Sequence, residues 1–139
     1  MLAMVQDRGR TGLAYFAIPR SGAMDLSSAD LANTILGNSP QSPVIECHFA
    51  APTIRFNSAA TICLTGANMQ WRIDGQKAAR DRTIEIQSGS ELTGTAAKKG
   101  CRAYIGIGGE IKTTTNFESS ACYMPGNLGG NEGLSLIHI

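Results

Sequence analysis

The pattern of hydrophobic and polar residues along this chain predicts one helix. Between Leu31 and Leu36 the apolar residues recur about one turn apart, so residues 26–36 are predicted as a helix. Gly37 follows the last apolar pair, and a glycine at this place is typical of a helix end. Three side chains could accept the free amides of the first turn: Asp25, Ser27 and Ser28.

Most of the remaining pattern predicts short strands. Residues 83–87 alternate between polar and apolar side chains, which indicates a strand with one face in solvent. Asp74 and Gly75 predict a tight hairpin turn, because both centre positions of a type I′ turn need positive φ. Proline and glycine recur at intervals of about ten residues, the spacing expected for an all-β barrel or sandwich. The predicted strands are 44–48, 61–64, 69–73, 83–87 and 102–107.

The composition narrows the class of protein. A length of 139 residues fits one domain. Intrinsically disordered proteins combine few hydrophobic residues with high charge, whereas this chain has 42% hydrophobic and 17% charged residues. A net charge of +1 argues against a strong general attraction to nucleic acid or anionic membranes. No apolar stretch approaches the roughly 18 residues of a membrane span and the N-terminus lacks a signal-peptide core, so we expect a cytoplasmic protein.

The four cysteines, at positions 47, 63, 101 and 122, are widely scattered. Without a secretion signal, they are interpreted as reduced thiols that lie mostly in or near the core. Only Cys47 and His48 are adjacent, and neighbours in a strand point to opposite faces, so no metal site is expected. His48 is interpreted as a strand residue rather than a catalytic base.

Two polar stretches near the N-terminus, residues 5–12 and 18–25, interleave charged side chains with glycine. Such loops let backbone amides and arginine guanidinium groups approach an anion or carboxylate closely. Asp7 and Asp25 could serve there as base, metal ligand or orienting group. The alternative is structural: a strand that enters a turn, with Asp25 capping the helix.

Two further stretches, residues 64–67 and 104–109, contain glycines within or beside a predicted strand. Residues 104–109 lack the G-x-G-x-x-G spacing and no helical pattern follows them, so they do not predict a dinucleotide-binding loop. A strand whose glycines allow close packing is the preferred interpretation. Residues 64–67 similarly predict a strand that ends in a tight turn, which is either structural or part of a site wall.

The order of the motifs supplies a stronger hypothesis. They are Val5-Gln6-Asp7-x-Gly9-Arg10-x-Gly12, then Pro19-Arg20-Ser21-Gly22-Ala23-Met24-Asp25, then Ala32-Asn33-x-x-Leu36-Gly37-Asn38, followed by Glu46, Pro52-Thr53, Leu64-Thr65-Gly66-Ala67, Arg102-Ala103-Tyr104, Gly108-Gly109 and Gly129-Gly130. This ordered set resembles the biotin-dependent carboxyltransferase family, also called allophanate hydrolase subunit 2, which includes the C component of 5-oxoprolinase.

The resemblance implies a mainly β fold, a cyclophilin-like β-barrel, with one short helix. It implies a component of an ATP-dependent complex, foremost 5-oxoprolinase, which opens 5-oxoproline to glutamate. The expected partners resemble the A and B components of 5-oxoprolinase, and ATP would be bound by the complex or by this chain. Urea carboxylase, which moves a carboxyl group from carboxybiotin to urea, is a related possibility. The chain has no biotin-carrying lysine motif, so any biotin would arrive on another domain. The alternative is a regulatory binding protein without turnover that antagonises the inhibitor of a partner kinase.

The resemblance also implies site residues. Arg10 or Arg20 would bind a carboxylate, and Asp7 or Asp25 would be the acid–base group. Donors in these loops would hold an amide carbonyl oxygen as an oxyanion hole does. The remaining expected substrate-binding residues are Gln6, Ser21, Gly66, Ala67, Tyr104 and Gly109.

The chain also departs from the family pattern. Family members are longer and continue past the last glycine pair into a second barrel. Their Ser-x-Ser-Thr element corresponds here to residues 119–122, in which only the first serine is kept. Residues 134–139 match what a sequencing-library adapter would encode. We therefore expect residues 1–133 to be the N-terminal part of a carboxyltransferase domain, truncated and inactive alone, and residues 134–139 to be an artefact.

Overall fold

A computed structural model describes residues 2–109 and 111–130 of the chain. Helix α1 spans Leu26–Leu36, and two short 3-10 turns span Ala14–Phe16 and Met124–Gly126. The strands are β1 Leu2–Gln6, β2 Val44–His48, β3 Ile54–Arg55, β4 Ala60–Gly66, β5 Arg72–Ile73, β6 Gln76–Lys77, β7 Thr83–Ile86, β8 Glu91–Thr93 and β9 Arg102–Ile107. The prediction of a mainly β fold with one short helix is confirmed. The expectation for residues 134–139 lies outside the described residues.

The strands form two antiparallel sheets. The larger sheet has the strand order β1-β2-β9-β4-β7, and the smaller has the order β3-β8-β5-β6. In the described part of the chain β1 and β7 lie at opposite edges of the larger sheet, so the expected barrel is not closed there. Because β2 and β9 are neighbours, Glu46 lies opposite Tyr104 in the register of the sheet.

Helix α1 has the predicted limits and packs on the larger sheet against β4 and β9. Of the three possible caps, the Asp25 side chain accepts the amide of Ser28. A Cβ atom on Gly106 of β9 would lie 2.8 Å from Leu36 Cδ1 and 3.1 Å from Ala32 Cβ. The glycine therefore allows the helix to approach the strand closely, as the sequence interpretation expected.

Most strand predictions are confirmed, with one main exception. Strands β2 and β9 have the predicted limits, and the β5–β6 hairpin turns at Asp74 and Gly75 with φ of 50° and 81°. Of the predicted strand 69–73, only Arg72–Ile73 is a strand. Gln70 adopts a left-handed φ of 50°, which interrupts the extended backbone although Met69 and Trp71 on either side are buried. The two- and three-residue strands β3, β6 and β8 were not predicted, because so few residues carry no readable alternation.

The main core contains side chains of both sheets, and a second, smaller buried cluster joins helix α1 to Val44 and Tyr104 of the larger sheet. The largest fully buried side chains of the main core include Trp71, Ile62, Leu64, Met69, Ile86, Leu92 and Ile105. Cys47, Cys63 and Cys122 are buried and Cys101 is exposed. Burial raises the pKa of the Cys47 thiol to about 12, so this thiol is protonated and unreactive at neutral pH. Within the described residues no helix is long and apolar enough to cross a membrane.

Candidate functional site

The two polar stretches near the N-terminus pack directly against each other. The Arg10 amide donates to the Arg20 carbonyl oxygen at 2.8 Å, and the Ala23 amide donates to the Asp7 carbonyl oxygen at 2.8 Å. A Cβ atom on Gly9 would lie 2.6 Å from the carbonyl oxygens of Arg20 and Ser21, so the close approach needs a glycine. The tertiary structure thus brings both stretches to one place.

Asp7 connects these loops to residues near the end of the described chain. Its Oδ1 accepts the Gly9 amide at 2.7 Å and the Ser119 hydroxyl at 2.8 Å. Its Oδ2 accepts the Ser120 amide at 2.6 Å. Both carboxylate oxygens therefore hold the scaffold together, and an acid–base role for Asp7 stays a prediction.

Gln6 and Arg10 are the buried polar side chains of this region. Gln6 donates from Nε2 to the Cys122 carbonyl oxygen at 3.3 Å and accepts the Gly22 amide at 3.1 Å. Arg10 is only 2% exposed, and its Nη2 donates to the Ala121 carbonyl oxygen at 2.5 Å. The Nε and Nη1 atoms of Arg10 have no hydrogen-bond partner in the part of the chain that the structure describes. Two donors of a fixed, buried cation are therefore available for an acceptor that enters the site.

A cavity of about 510 Å³ adjoins these loops. Its lining includes three arginines (Arg8, Arg10 and Arg20) and one acidic residue, Glu118. Arg8 is paired, since its Nη2 lies 2.5 Å from Asp30 Oδ2. Arg10 and Arg20 form no ion pair within residues 2–109 and 111–130. The cavity can therefore bind a carboxylate or another oxyanion.

A second group of polar residues lies where helix α1 meets the larger sheet. The Asp25 amide donates to the Tyr104 hydroxyl oxygen at 2.7 Å, and that hydroxyl donates to Glu46 Oε2 at 2.8 Å. The same Glu46 oxygen accepts the Met24 amide at 2.7 Å. Burial raises the pKa of Tyr104, so the phenol stays protonated and remains a donor. This chain of hydrogen bonds fixes the start of the helix on the sheet.

The other oxygen of Glu46 faces the His48 imidazole and the Arg102 guanidinium. His48 Nε2 lies 2.8 Å from Glu46 Oε1, and Arg102 Nε lies 3.6 Å from the same atom. Burial holds the pKa of His48 below its ordinary value, while the Glu46 charge opposes this shift. Glu46 was not predicted as a site residue, although an acidic residue inside the apolar strand β2 is a signal for a buried carboxylate.

Asp25 caps helix α1 in the structure. Its Oδ1 accepts the Ser28 amide at 3.1 Å and its Oδ2 accepts the Ser28 hydroxyl at 2.5 Å. The Ser28 hydroxyl is the main reason that the pKa of Asp25 lies below its ordinary value of 3.8. The structural alternative for Asp25 is therefore confirmed as a cap, and a catalytic role stays a prediction.

Asp25→Ala is expected to lower the free energy of unfolding by about 1 kcal/mol at pH 7, the usual contribution of a cap. Because the folded-state pKa is depressed, this contribution is complete above pH 3.8 and is lost as pH falls through the folded pKa. Urea denaturation between pH 7 and pH 3 should show the difference shrinking. Ser27→Ala removes a cap candidate that the structure does not use, and should change stability by less than about 0.5 kcal/mol. An equal loss in both variants would contradict the assigned cap.

The remaining predicted site residues lie elsewhere. Gly66 is beside the second group, since a Cβ atom there would lie 3.2 Å from Tyr104 Cδ2. Ala67 follows it and donates its amide to the Arg102 carbonyl oxygen at 2.7 Å. Gly109 donates to Asn38 Oδ1 at 3.1 Å, near the end of helix α1. None of the three lines the arginine cavity.

The end of the described chain supplies further residues of the site, which no sequence pattern indicated. Phe117 and Glu118 line the arginine cavity, and Ser119 and Ser120 bind Asp7. No local pattern could place them there, because more than a hundred residues separate them from Asp7 along the chain. Within the described residues no group of three or more His, Cys, Asp or Glu side chains is arranged to hold a metal ion.

Comparison with known proteins agrees with this fold. The family model of the carboxyltransferase domain, subdomain A and B, matches residues 16–138. The crystal structure of the urea carboxylase of Kluyveromyces lactis superposes with a TM-score of 0.91 at 34% identity, over 97% of this chain and 12% of that chain.

Two kinds of curated relative are similar in sequence. Urea amidolyase of Saccharomyces cerevisiae is 37% identical over 90% of this chain and 7% of its own length. The C component of the 5-oxoprolinase of Escherichia coli is 29% identical over 96% of this chain and 43% of its own length. The chain thus spans less than half the length of these relatives. The resemblance expected from the motif order is confirmed: the chain belongs to the carboxyltransferase domain family, subdomain A and B.

Proposed function

We propose that this chain is part of an ATP-dependent enzyme complex that acts on a small amide bearing a carboxylate, with 5-oxoproline as the substrate. The observation that carries the proposal is Arg10, which is 2% exposed, lines the cavity and has two donors without a partner among the described residues. A buried guanidinium with unused N–H groups is suited to a charge-assisted hydrogen bond with a carboxylate.

5-Oxoproline combines the two groups for which the site has donors. Its carboxylate would bind Arg10, with Arg20 adding positive charge at the same cavity. Its lactam carbonyl would be polarised by backbone amides of the adjoining loops, which stabilises negative charge that develops on the oxygen. Asp7 and Asp25 remain the proposed acid–base groups, although each is also held by structural hydrogen bonds.

Urea is the rival substrate, and the 37% identity to urea amidolyase favours it. Urea carries no carboxylate of its own. In that case Arg10 would bind the carboxyl group that is transferred, and this group would arrive on a biotin carried by another domain.

The sequence has no Walker loop that would favour ATP binding by this chain. We therefore assign ATP to the proposed partners, which resemble the A and B components of 5-oxoprolinase, and place the complex in the cytoplasm. The relative from Escherichia coli is itself named as one component of 5-oxoprolinase, which supports such an assembly.

The test is turnover by the full-length protein reconstituted with its partner proteins. We expect loss of 5-oxoproline and appearance of glutamate, both dependent on ATP. ATP-dependent consumption of urea instead would show that urea is the substrate, and the proposed complex would stand. Absence of turnover with both substrates would leave the regulatory binding protein as the better hypothesis.

A further inference from the structure

A second cavity, of about 500 Å³, lies away from the arginine cavity and shares no lining residue with it. It lies between the hairpin β5–β6 and the segments on either side of that hairpin. Three cationic side chains line it, Arg72, Lys77 and Arg80, and its lining includes no acidic residue. Neither the proposed reaction nor the similarity to known proteins assigns a role to this cavity.

Trp71 supplies a buried donor in the wall of this cavity. The side chain is 1% exposed, and its indole Nε1 has no hydrogen-bond partner among the residues that the structure describes. Trp71 Cε3 would lie 3.2 Å from a Cβ atom on Gly94, so that edge of the indole packs closely against the backbone that follows β8. A buried donor without an acceptor is rare in proteins, because the lost hydration is not replaced.

The guanidinium of Arg80 lines the same cavity, and one of its donors is not used by the described residues. Its Nη2 donates to the Gly66 carbonyl oxygen, whereas its buried Nε has no partner in the described part of the chain. The nearest acidic group, Asp81, lies 3.9 Å from Nη2 and is half exposed, so it neutralises this charge only weakly.

The two other cations are also arranged around the cavity by the hairpin. Arg72 and Lys77 lie opposite each other in the register of β5 and β6. Arg72 Nη1 donates to the Gly75 carbonyl oxygen at 2.8 Å, which holds its side chain over the turn. Both side chains are exposed, so they can be replaced without disturbing the core.

We propose that this cavity is a binding site for a small molecule that carries an oxyanion, either a carboxylate or a phosphate. The indole Nε1 of Trp71 and the Nε of Arg80 donate hydrogen bonds to the oxyanion. Arg72 and Lys77 offset its charge, and Ala78 and Ala79 leave room for the body of the ligand. This site does not depend on the function proposed above, because its residues take no part in it.

Trp71 is the single tryptophan of the chain, so its fluorescence reports on this cavity directly. The chain would be titrated with inorganic phosphate and, separately, with sodium acetate, with sodium chloride as the reference at equal ionic strength. We expect a saturable change in fluorescence for at least one probe, and calorimetry should give the same dissociation constant. Phosphate and acetate distinguish the two sources of the oxyanion.

Arg72→Gln and Lys77→Gln should each weaken binding by about tenfold, the effect of removing one charge-assisted contact. The matched control is Arg55→Gln, an exposed arginine on β3, which should leave the dissociation constant unchanged. A response that does not saturate, or that follows ionic strength alone, would overturn the proposal. Equal affinity in the two hairpin variants and the control would also overturn it. Arg80 is not replaced, because its side chain also donates to the Gly66 carbonyl oxygen.

Discussion

Arg10→Lys is expected to raise the KM of the full-length complex for its carboxylate-bearing substrate by between about 10- and 100-fold. Lysine keeps the charge but loses the guanidinium, including the Nε and Nη1 donors that have no partner among the described residues. The buried position leaves no water to compensate, since Arg10 is 2% exposed. Steady-state kinetics with 5-oxoproline would measure the effect, with kcat changing less than KM because the contact is present before the reaction begins.

A structural effect of the same substitution must be separated from a binding effect. Arg10 also donates to the Ala121 carbonyl oxygen, so its replacement can lower stability as well. Urea denaturation of Arg10→Lys measures that part independently. Arg55→Lys, at an exposed position on β3, is the matched control and should leave KM unchanged. If KM is unchanged in Arg10→Lys, Arg10 does not bind the substrate and the observation that carries the proposed function is lost.

Glu46→Ala is expected to lower the free energy of unfolding by about 3–5 kcal/mol, the usual result of removing one partner of a buried ion pair. Glu46 is 3% exposed and is surrounded by the Tyr104 hydroxyl, the Met24 amide, the His48 imidazole and the Arg102 guanidinium. Its removal leaves these groups buried without their acceptor. The loss is a large part of the total stability of a typical domain, so the transition should be measured by urea denaturation.

Two further variants test whether the loss of stability comes from the buried carboxylate of Glu46. Glu46→Gln keeps the shape and one acceptor oxygen, so its loss should be smaller than that of Glu46→Ala. Glu91→Ala removes an exposed acidic side chain from β8 and should change stability by less than about 0.5 kcal/mol. A loss below about 1 kcal/mol for Glu46→Ala would show that the buried carboxylate is not the acceptor on which these groups depend.

Features that depend on residues close together in the sequence were predicted correctly, whereas features that depend on distant residues were not. Helix α1 and the turn at Asp74 and Gly75 depend on neighbours within a few residues, so their limits could be derived from the sequence. Residues 69–73 had the composition of a strand, but Gln70 adopts a left-handed conformation that no local pattern indicated. The very short strands exist only because partner strands are available to pair with them.

The amino-acid sequence alone was enough to derive the mainly β class, the limits of the helix, the burial of most cysteines and, through the order of its motifs, the family. The folded chain was needed to show which polar residues share a site. Folding placed Asp7 against Ser119 and Ser120, and it buried Glu46 against the Tyr104 hydroxyl. It also left two donors of Arg10 without a partner among the residues that the structure describes. The sequence determines the first set of features because local hydrogen bonding and side-chain periodicity depend on adjacent residues. Burial and charge pairing, in contrast, depend on segments that meet only after the chain has folded.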